Sequence, residues 1–99
     1  MQIRRIGGPD DAPLIEAELQ DGDVRLSLLN LGVVTRGWWV PCGGASVPVI
    51  LGYASPRAYL TDDCYLGAIV GRVANRTSGG RLQIDDTSHQ LSQNEGQTH

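Results

Sequence analysis

The side chains of this sequence best suited to holding a polar ligand lie together in Gly71-Arg72-Val73-Ala74-Asn75-Arg76. Two guanidiniums and an amide follow an apolar run there, and loops that leave a sheet commonly present binding groups. Arg donates through a planar fork, while Asn both donates and accepts, so the pair suits the hydroxyls of a sugar or the oxygens of a carboxylate. The same spacing suits two surface salt bridges. Spacing alone does not separate these readings.

The remaining reactive groups point away from metal and nucleophile chemistry. His89 and His99 are the two imidazoles, and the chain has no HExxH stretch or Cys/His cluster, so a zinc site is not expected. His89 alternates with Leu91, which predicts an inward, hydrogen-bonded ring rather than a ligand. Asp62-Asp63 and Asp85-Asp86 sit in turn-like contexts. Adjacent carboxylates of that kind make turns, whereas glycoside chemistry needs carboxyls spaced across a site. Cys42 and Cys64 lack CxxC spacing and predict reduced, packed thiols. Gly67 to Gly71 has the GxxxG spacing but lies in no apolar 20-mer, and it is not a GxGxxG phosphate loop.

The elements that must position these groups are short. The chain has 99 residues, 40% hydrophobic and 19% charged, which predicts one small folded domain rather than two domains or a disordered chain. All eight basic residues are Arg, scattered among eleven carboxylates for a net charge of -3, so nucleic acid is not an expected partner. No apolar stretch approaches the roughly 20 residues of a membrane-spanning helix. No apolar h-region follows Arg4 and Arg5, so a cytoplasmic location is expected.

Thirteen glycines and five prolines cut the chain into pieces without a sustained helical repeat, which predicts an all-β fold. Ile15, Ala17 and Leu19 alternate with Glu16, Glu18 and Gln20, predicting a strand with the apolar set inward. Asp21-Gly22 predicts a tight hairpin, with Val24, Leu26 and Leu28 on one face of the return strand. A break at Asn30-Leu31-Gly32 precedes a strand over Val33 to Val40, whose Trp38 and Trp39 must face opposite sides. Pro41 to Ser46 reads as a loop, and Val47 to Leu51 as a short apolar strand of the kind buried on both faces, in which Pro48 marks either an edge or a strand start. Ser55 and Pro56 predict a helical turn to Leu60. Tyr65 to Val73 is a further apolar run, broken by Gly67 and Gly71, that reads as a strand leading into the polar segment, and Arg81 to Ile84 with Thr87 to Leu91 predict a hairpin about Asp85-Asp86.

A family resemblance rests on particular residues: Pro48-Val-Ile-Leu-Gly-Tyr53, Tyr59-Leu60, Asp62, and Tyr65-Leu-Gly-Ala-Ile-Val-Gly-Arg-Val-Ala-Asn-Arg76. With Gly80-Arg81-Leu82, Ile84-Asp85, Leu91 and Asn94-Glu95-Gly96, they resemble the amino-terminal part of the aldose 1-epimerases, the galactose mutarotases. The resemblance runs from about Gly22 to the end and is most specific between Leu51 and Arg76. It implies an antiparallel β-sandwich, part of the galactose-mutarotase β-supersandwich, with residues 1–99 forming an incomplete domain. It also implies cofactor-free interconversion of α and β anomers of an aldohexose, with Asn75 and Arg76 at the sugar site.

Family members continue after the turn matched by Asn94-Glu95-Gly96 into a Leu-His-Gly-Gly stretch bearing a site histidine. They supply a second histidine, an aspartate and a glutamate base later still. By that alignment His99 falls about two positions before the first histidine, so no catalytic acid or base is expected within the chain. As a terminal residue, His99 is expected to fray. Asp86 stands where the family usually has glycine, and His89 where it usually has an aromatic.

Two other readings use the same residues. One is a non-catalytic carbohydrate-binding or interaction module, and the other is part of a hexose-phosphate epimerase of the same fold. Strands taken from a larger sandwich leave an apolar face and open edges. Self-association, or pairing with a chain that carries the remaining strands, is therefore expected, with Trp38 and Trp39 marking the contact.

Overall fold

Turn chemistry sets the order of the strands. The structure, a computed structural model, describes residues 1–71 and 73–99. It divides into two units, Met1–Ile69 and Val70–His99. Strands β1 (Gln2–Gly7), β2 (Leu14–Asp21), β3 (Val24–Leu29), β4 (Thr35–Cys42) and β5 (Ala45–Pro48) form the first unit's sheet. Every neighbouring pair is antiparallel, and the order in space is the order in sequence. In the second unit β6 (Arg81–Ile84) and β7 (Thr87–Gln90) form a hairpin. The all-β, antiparallel class expected from the sequence therefore holds.

The hairpins follow their turn residues. Ile84 pairs with Thr87 around Asp85-Asp86, as expected, with Asp85 at φ 51. In the first hairpin Asp21 pairs with Val24, so the turn centres on Gly22-Asp23, one residue beyond the expected dipeptide. The expected loop from Pro41 to Ser46 is shorter than predicted. Cys42 pairs with Ala45 across Gly43-Gly44, whose φ values of 57 and 80 let strands meet in a two-residue turn. The edge position of Pro48 holds, because β5 is the outer strand. A 3-10 helix over Pro56–Thr61 starts with Pro in its first turn, although the Ser55 side chain makes no capping bond.

The structure adds one strand that the sequence reading did not contain and overturns two of its expectations. β1 was not predicted, because Arg5 interrupts the alternation of Gln2, Ile3, Arg4 and Ile6; its pairing with β2 establishes the strand. The run from Tyr65 to Val73 forms no strand among the described residues. Tyr65 and Gly67 take φ values of 56 and 66, which break an extended ladder. Most informative is β2, where the expected faces are exchanged: Glu16 is fully buried while Leu19 is exposed.

The exchange follows from what covers each side. In this register Leu14, Glu16, Ser27, Leu29 and Gly37 share one face. Leu29 packs there with Val34 and Tyr59, and Ile6, Tyr53 and Leu66 close the cluster. Glu16 is tolerated inside because its carboxylate accepts from Ser27 Oγ at 2.6 Å and Arg4 Nε at 2.9 Å, and pairs with Arg36. Arg36 is the extra residue of a β-bulge: Ser27 pairs with Gly37 but Leu28 with Thr35, and the bulge turns Arg36 toward Glu16. Trp39 lies across Gly37 on the same face, with the Arg25 guanidinium 4.0 Å from its ring centre.

Two carboxyls tie this unit to pH. Burial opposes ionisation of Glu16, but bonds from Ser27, Arg4 and Arg36 outweigh it and hold its pKa below the usual carboxylate range. Asp62 is also held low, first by Tyr53 Oη donating at 2.7 Å, then by the backbone N–H groups of Cys64 and Leu66. A carboxyl with a depressed folded-state pKa contributes stability above its unfolded value, and loses it as pH falls through the folded value. Urea midpoints followed by circular dichroism are therefore expected to hold steady near neutral pH and to fall below about pH 4. A midpoint unchanged down to pH 2.5 would contradict both ion-binding arrangements.

Candidate functional site

The candidate binding residues lie in the second unit, which hydrogen bonds hold together more than apolar packing does. Thr77 and His99 exchange backbone bonds, Thr77 N–H to His99 O at 3.0 Å and His99 N–H to Thr77 O at 3.2 Å. Ser78 bridges Thr98, and Glu95 and Thr98 close a turn through bonds of 3.1 and 3.0 Å. Gly80 O accepts from Leu91 N–H at 2.7 Å, and the Gln90 and Gln93 amides donate to Gly79 O. These contacts clasp 77–80 against 90–99, so Thr77, which follows Asn75 and Arg76 in the chain, is held in place.

Asn75 and Arg76 are the two residues before that clasp. Asn75 takes φ 67, a left-handed conformation that Asn tolerates better than most side chains. Arg76 reaches toward Glu95, with Nη2 to Oε1 at 3.8 Å and side chains 70% and 55% exposed. That distance is too long for a hydrogen bond, and an exposed pair of this kind contributes about 0–1 kcal/mol. The salt-bridge reading of Arg76 is thus a loose one, which leaves its guanidinium donors open to a ligand. Arg72, the other arginine of the segment, lies outside the described residues.

Sequence reasoning did not anticipate the carboxylate beside Arg76 or the clasped terminus that follows it. Glu95 was visible only as part of a turn, yet the turn presents its carboxylate to Arg76. His99 is not frayed, contrary to expectation: its backbone pairs with Thr77 and its Nδ1 lies 2.9 Å from Ser92 O. A carbonyl can only accept, so Nδ1 carries the proton in this contact. The clue lay in the turn residues Asn94-Glu95-Gly96, which return the chain toward Thr77. The segment thus offers donors from Arg76 and an amide of both polarities from Asn75, with a carboxylate acceptor from Glu95 beside Arg76. Such a mixture suits neutral, hydroxyl-rich molecules.

The other candidates resolve differently. His89 is exposed on β7, not inward, because its hairpin has no second layer over that position among the described residues. Cys42 and Cys64 are free, as expected, but both are exposed rather than packed. Asp62, Asp63 and Cys64 gather their side-chain atoms within 4.8 Å of one another. Asp62 is occupied by Tyr53 and two backbone N–H groups, and the thiol's bond to Asp63 pushes the Cys64 pKa up, away from the thiolate a metal or an electrophile requires.

Comparison with known proteins bears on the family. A family profile described as aldose 1-epimerase matches residues 16–99, beginning somewhat before the stretch in which the sequence resemblance was read. Galactose mutarotase of Sus scrofa is 33% identical over 90 residues, covering 89% of this chain and 26% of that protein. Galactose mutarotase of Homo sapiens is 38% identical over 78 residues, covering 78% and 23%. The crystal structure of galactose 1-epimerase from Lactobacillus acidophilus superposes with a TM-score of 0.67 at 27% identity, covering 99% of this chain and 29% of that one. The chain thus spans about a quarter of the length of the curated relatives it matches. No described helix is long and apolar enough to cross a membrane. On the profile match over most of its length, this chain belongs to the aldose 1-epimerase family.

Proposed function

We propose that residues 1–99 are the amino-terminal portion of a single aldose 1-epimerase domain, in which Asn75 and Arg76 bind an aldohexose. The observation that carries this reading is Arg76, an exposed guanidinium next to the clasped Thr77 with a loose partner at 3.8 Å. Mutarotation removes the proton of the anomeric hydroxyl, protonates the ring oxygen, opens the ring, rotates the C1–C2 bond and recloses it. A guanidinium stays charged at any working pH, so Arg76 binds and polarises sugar oxygens and does not transfer protons. Proton transfer needs a positioned acid and base. In this reading those groups belong to the part of the family's length that this chain does not span, and the 99-residue chain binds sugar without turning it over.

The test combines binding with polarimetry. Galactose added to the labelled chain is expected to shift the amide and side-chain resonances of Asn75 and Arg76. Arg76→Ala is expected to weaken that binding at least about tenfold, the scale of one or two lost charge-assisted hydrogen bonds. Fresh α-galactose is expected to mutarotate at its spontaneous rate with either chain. Unchanged affinity in Arg76→Ala would overturn the assignment of the site, and a rate above the spontaneous one would overturn the division of labour.

A further inference from the structure

We propose that Glu95 selects among sugars: with Arg76 it brackets a single hydroxyl, and it turns away sugars that carry a negative group there. The inference rests on Asn75 and Arg76 binding the sugar, as proposed above, and adds the residue that decides which sugars are taken. Two separate observations place Glu95 beside Arg76. Its Oε1 lies 3.8 Å from Arg76 Nη2, and among the described residues neither side chain makes a hydrogen bond. Its backbone is fixed on the same clasp that holds Thr77. Glu95 N–H donates to Thr98 O at 3.1 Å, Glu95 O accepts from Thr98 N–H at 3.0 Å and from Thr98 Oγ1 at 2.8 Å, and Thr98 bridges Ser78, the residue after Thr77. Gly96 at φ 63 turns the chain there.

The gap between the two groups has a chemical meaning. It is too long for a direct bond, yet one hydroxyl oxygen about 2.8 Å from each fits between them with an angle of about 85° at that oxygen, which rotation of two exposed side chains opens toward the tetrahedral value. A hydroxyl satisfies both neighbours, accepting from the guanidinium and donating to the carboxylate. A deprotonated carboxylate or phosphate oxygen satisfies Arg76 alone, because it has no proton for Glu95 and carries the same sign of charge. A position stripped of its hydroxyl satisfies neither. Charge elsewhere in the unit does not offset this: residues 70–99 carry three arginines and three acidic side chains, so no surplus of positive charge compensates the carboxylate that faces Arg76. A unit negative charge about 6 Å from Glu95 is disfavoured about threefold even with water's full screening, and more where the sugar excludes water.

Amide-resonance titrations of the 99-residue chain at pH 8 and low salt test it, with galactose, galacturonate and galactose 6-phosphate as probes. The parent chain is expected to prefer galactose. Glu95→Gln keeps an acceptor and removes the charge. It is expected to hold galactose within about twofold and to improve the affinity of each anionic sugar relative to galactose at least about threefold, a gain that shrinks in about 0.5 M salt. Glu95→Ala is expected to weaken galactose about three- to tenfold, the scale of one lost hydrogen bond. Asp86→Asn makes the same charge change at the tip of the β6–β7 hairpin, and should leave the ratio at the parent's value. Should Glu95→Ala lose its dispersed spectrum, Glu95→Gln carries the test through the ratio. A ratio unchanged in Glu95→Gln, or moved equally by Asp86→Asn, would overturn this inference alone where Arg76→Ala still weakens galactose. Galactose affinity unchanged in a folded Glu95→Ala would do the same. Galactose that shifts no resonance of the parent chain, or that binds Arg76→Ala with unchanged affinity, would overturn the sugar site and this inference with it.

Discussion

Glu16→Ala is expected to destabilise the first unit by about 3–5 kcal/mol, the usual cost of removing one partner from a buried ion pair. The carboxylate is the common acceptor for Ser27, Arg4 and Arg36, and Ser27 is itself fully buried. Arg36 has already left Nε buried without a partner, and its Nη2 is committed to Ala54 O at 2.8 Å. Without Glu16 the guanidinium would keep its charge but lose its counter-ion. Arg4 is largely exposed, so water can replace its share, and most of the loss falls on Arg36 and Ser27. Since domains of this size are stable by about 5–15 kcal/mol, the variant should be near unfolding in a urea titration. Pairing it with Arg36→Met is expected to recover much of the loss, because a network replaced whole by apolar groups is often neutral. A single substitution that moves the midpoint by less than about 1 kcal/mol would show that the carboxylate is better hydrated than its burial indicates.

Gly67→Ala is expected to cost on the order of 3 kcal/mol by the same titration, combining left-handed strain with the loss of a backbone hydrogen bond. Gly67 sits at φ 66, and a Cβ there would lie 2.0 Å from Thr35 O. The obstacle is backbone at the start of β4, so a rotamer change cannot relieve it. The Gly67 carbonyl also accepts from Thr35 N–H at 2.8 Å, which fastens the loop after Asp62 to the sheet. Gly43→Ala is the matched control, with φ 57 and open space around the added methyl. It should cost only the conformational part, about 1–2 kcal/mol. Equal losses at the two positions would mean that the approach of Gly67 to Thr35 has little energetic weight.

Local signals made much of the sheet legible. Period-two alternation located β2 and β3, and turn dipeptides located the β6–β7 hairpin, because both depend on neighbouring residues alone. What alternation does not encode is which face the rest of the chain will cover. Glu16 was assigned outward on polarity, and only Ser27 from β3, Arg4 from β1 and a bulge at Arg36 make its burial tolerable. None of those partners is adjacent to Glu16 in sequence. The loss of the expected strand from Tyr65 to Val73 has the same origin, since apolar composition there gave no sign of positive φ at Tyr65. At the candidate site Asn75 and Arg76 were found by residue type, whereas Glu95 comes to Arg76 through a turn 19 residues further along the chain.

The order of strands in the main sheet has a kinetic consequence. Because β1 to β5 are laid down in chain order, each strand can pair with the one made just before it, and no pairing waits for a distant segment. Low contact order of this kind favours rapid folding for an all-β topology, and it suits vectorial growth of the sheet as the chain leaves the ribosome. The exception is the bond between Glu16 and Arg36, which joins β2 to β4 across the intervening strand. It can close only once the bulge has formed, so until the fourth strand arrives Glu16 has only Arg4 and Ser27 as partners.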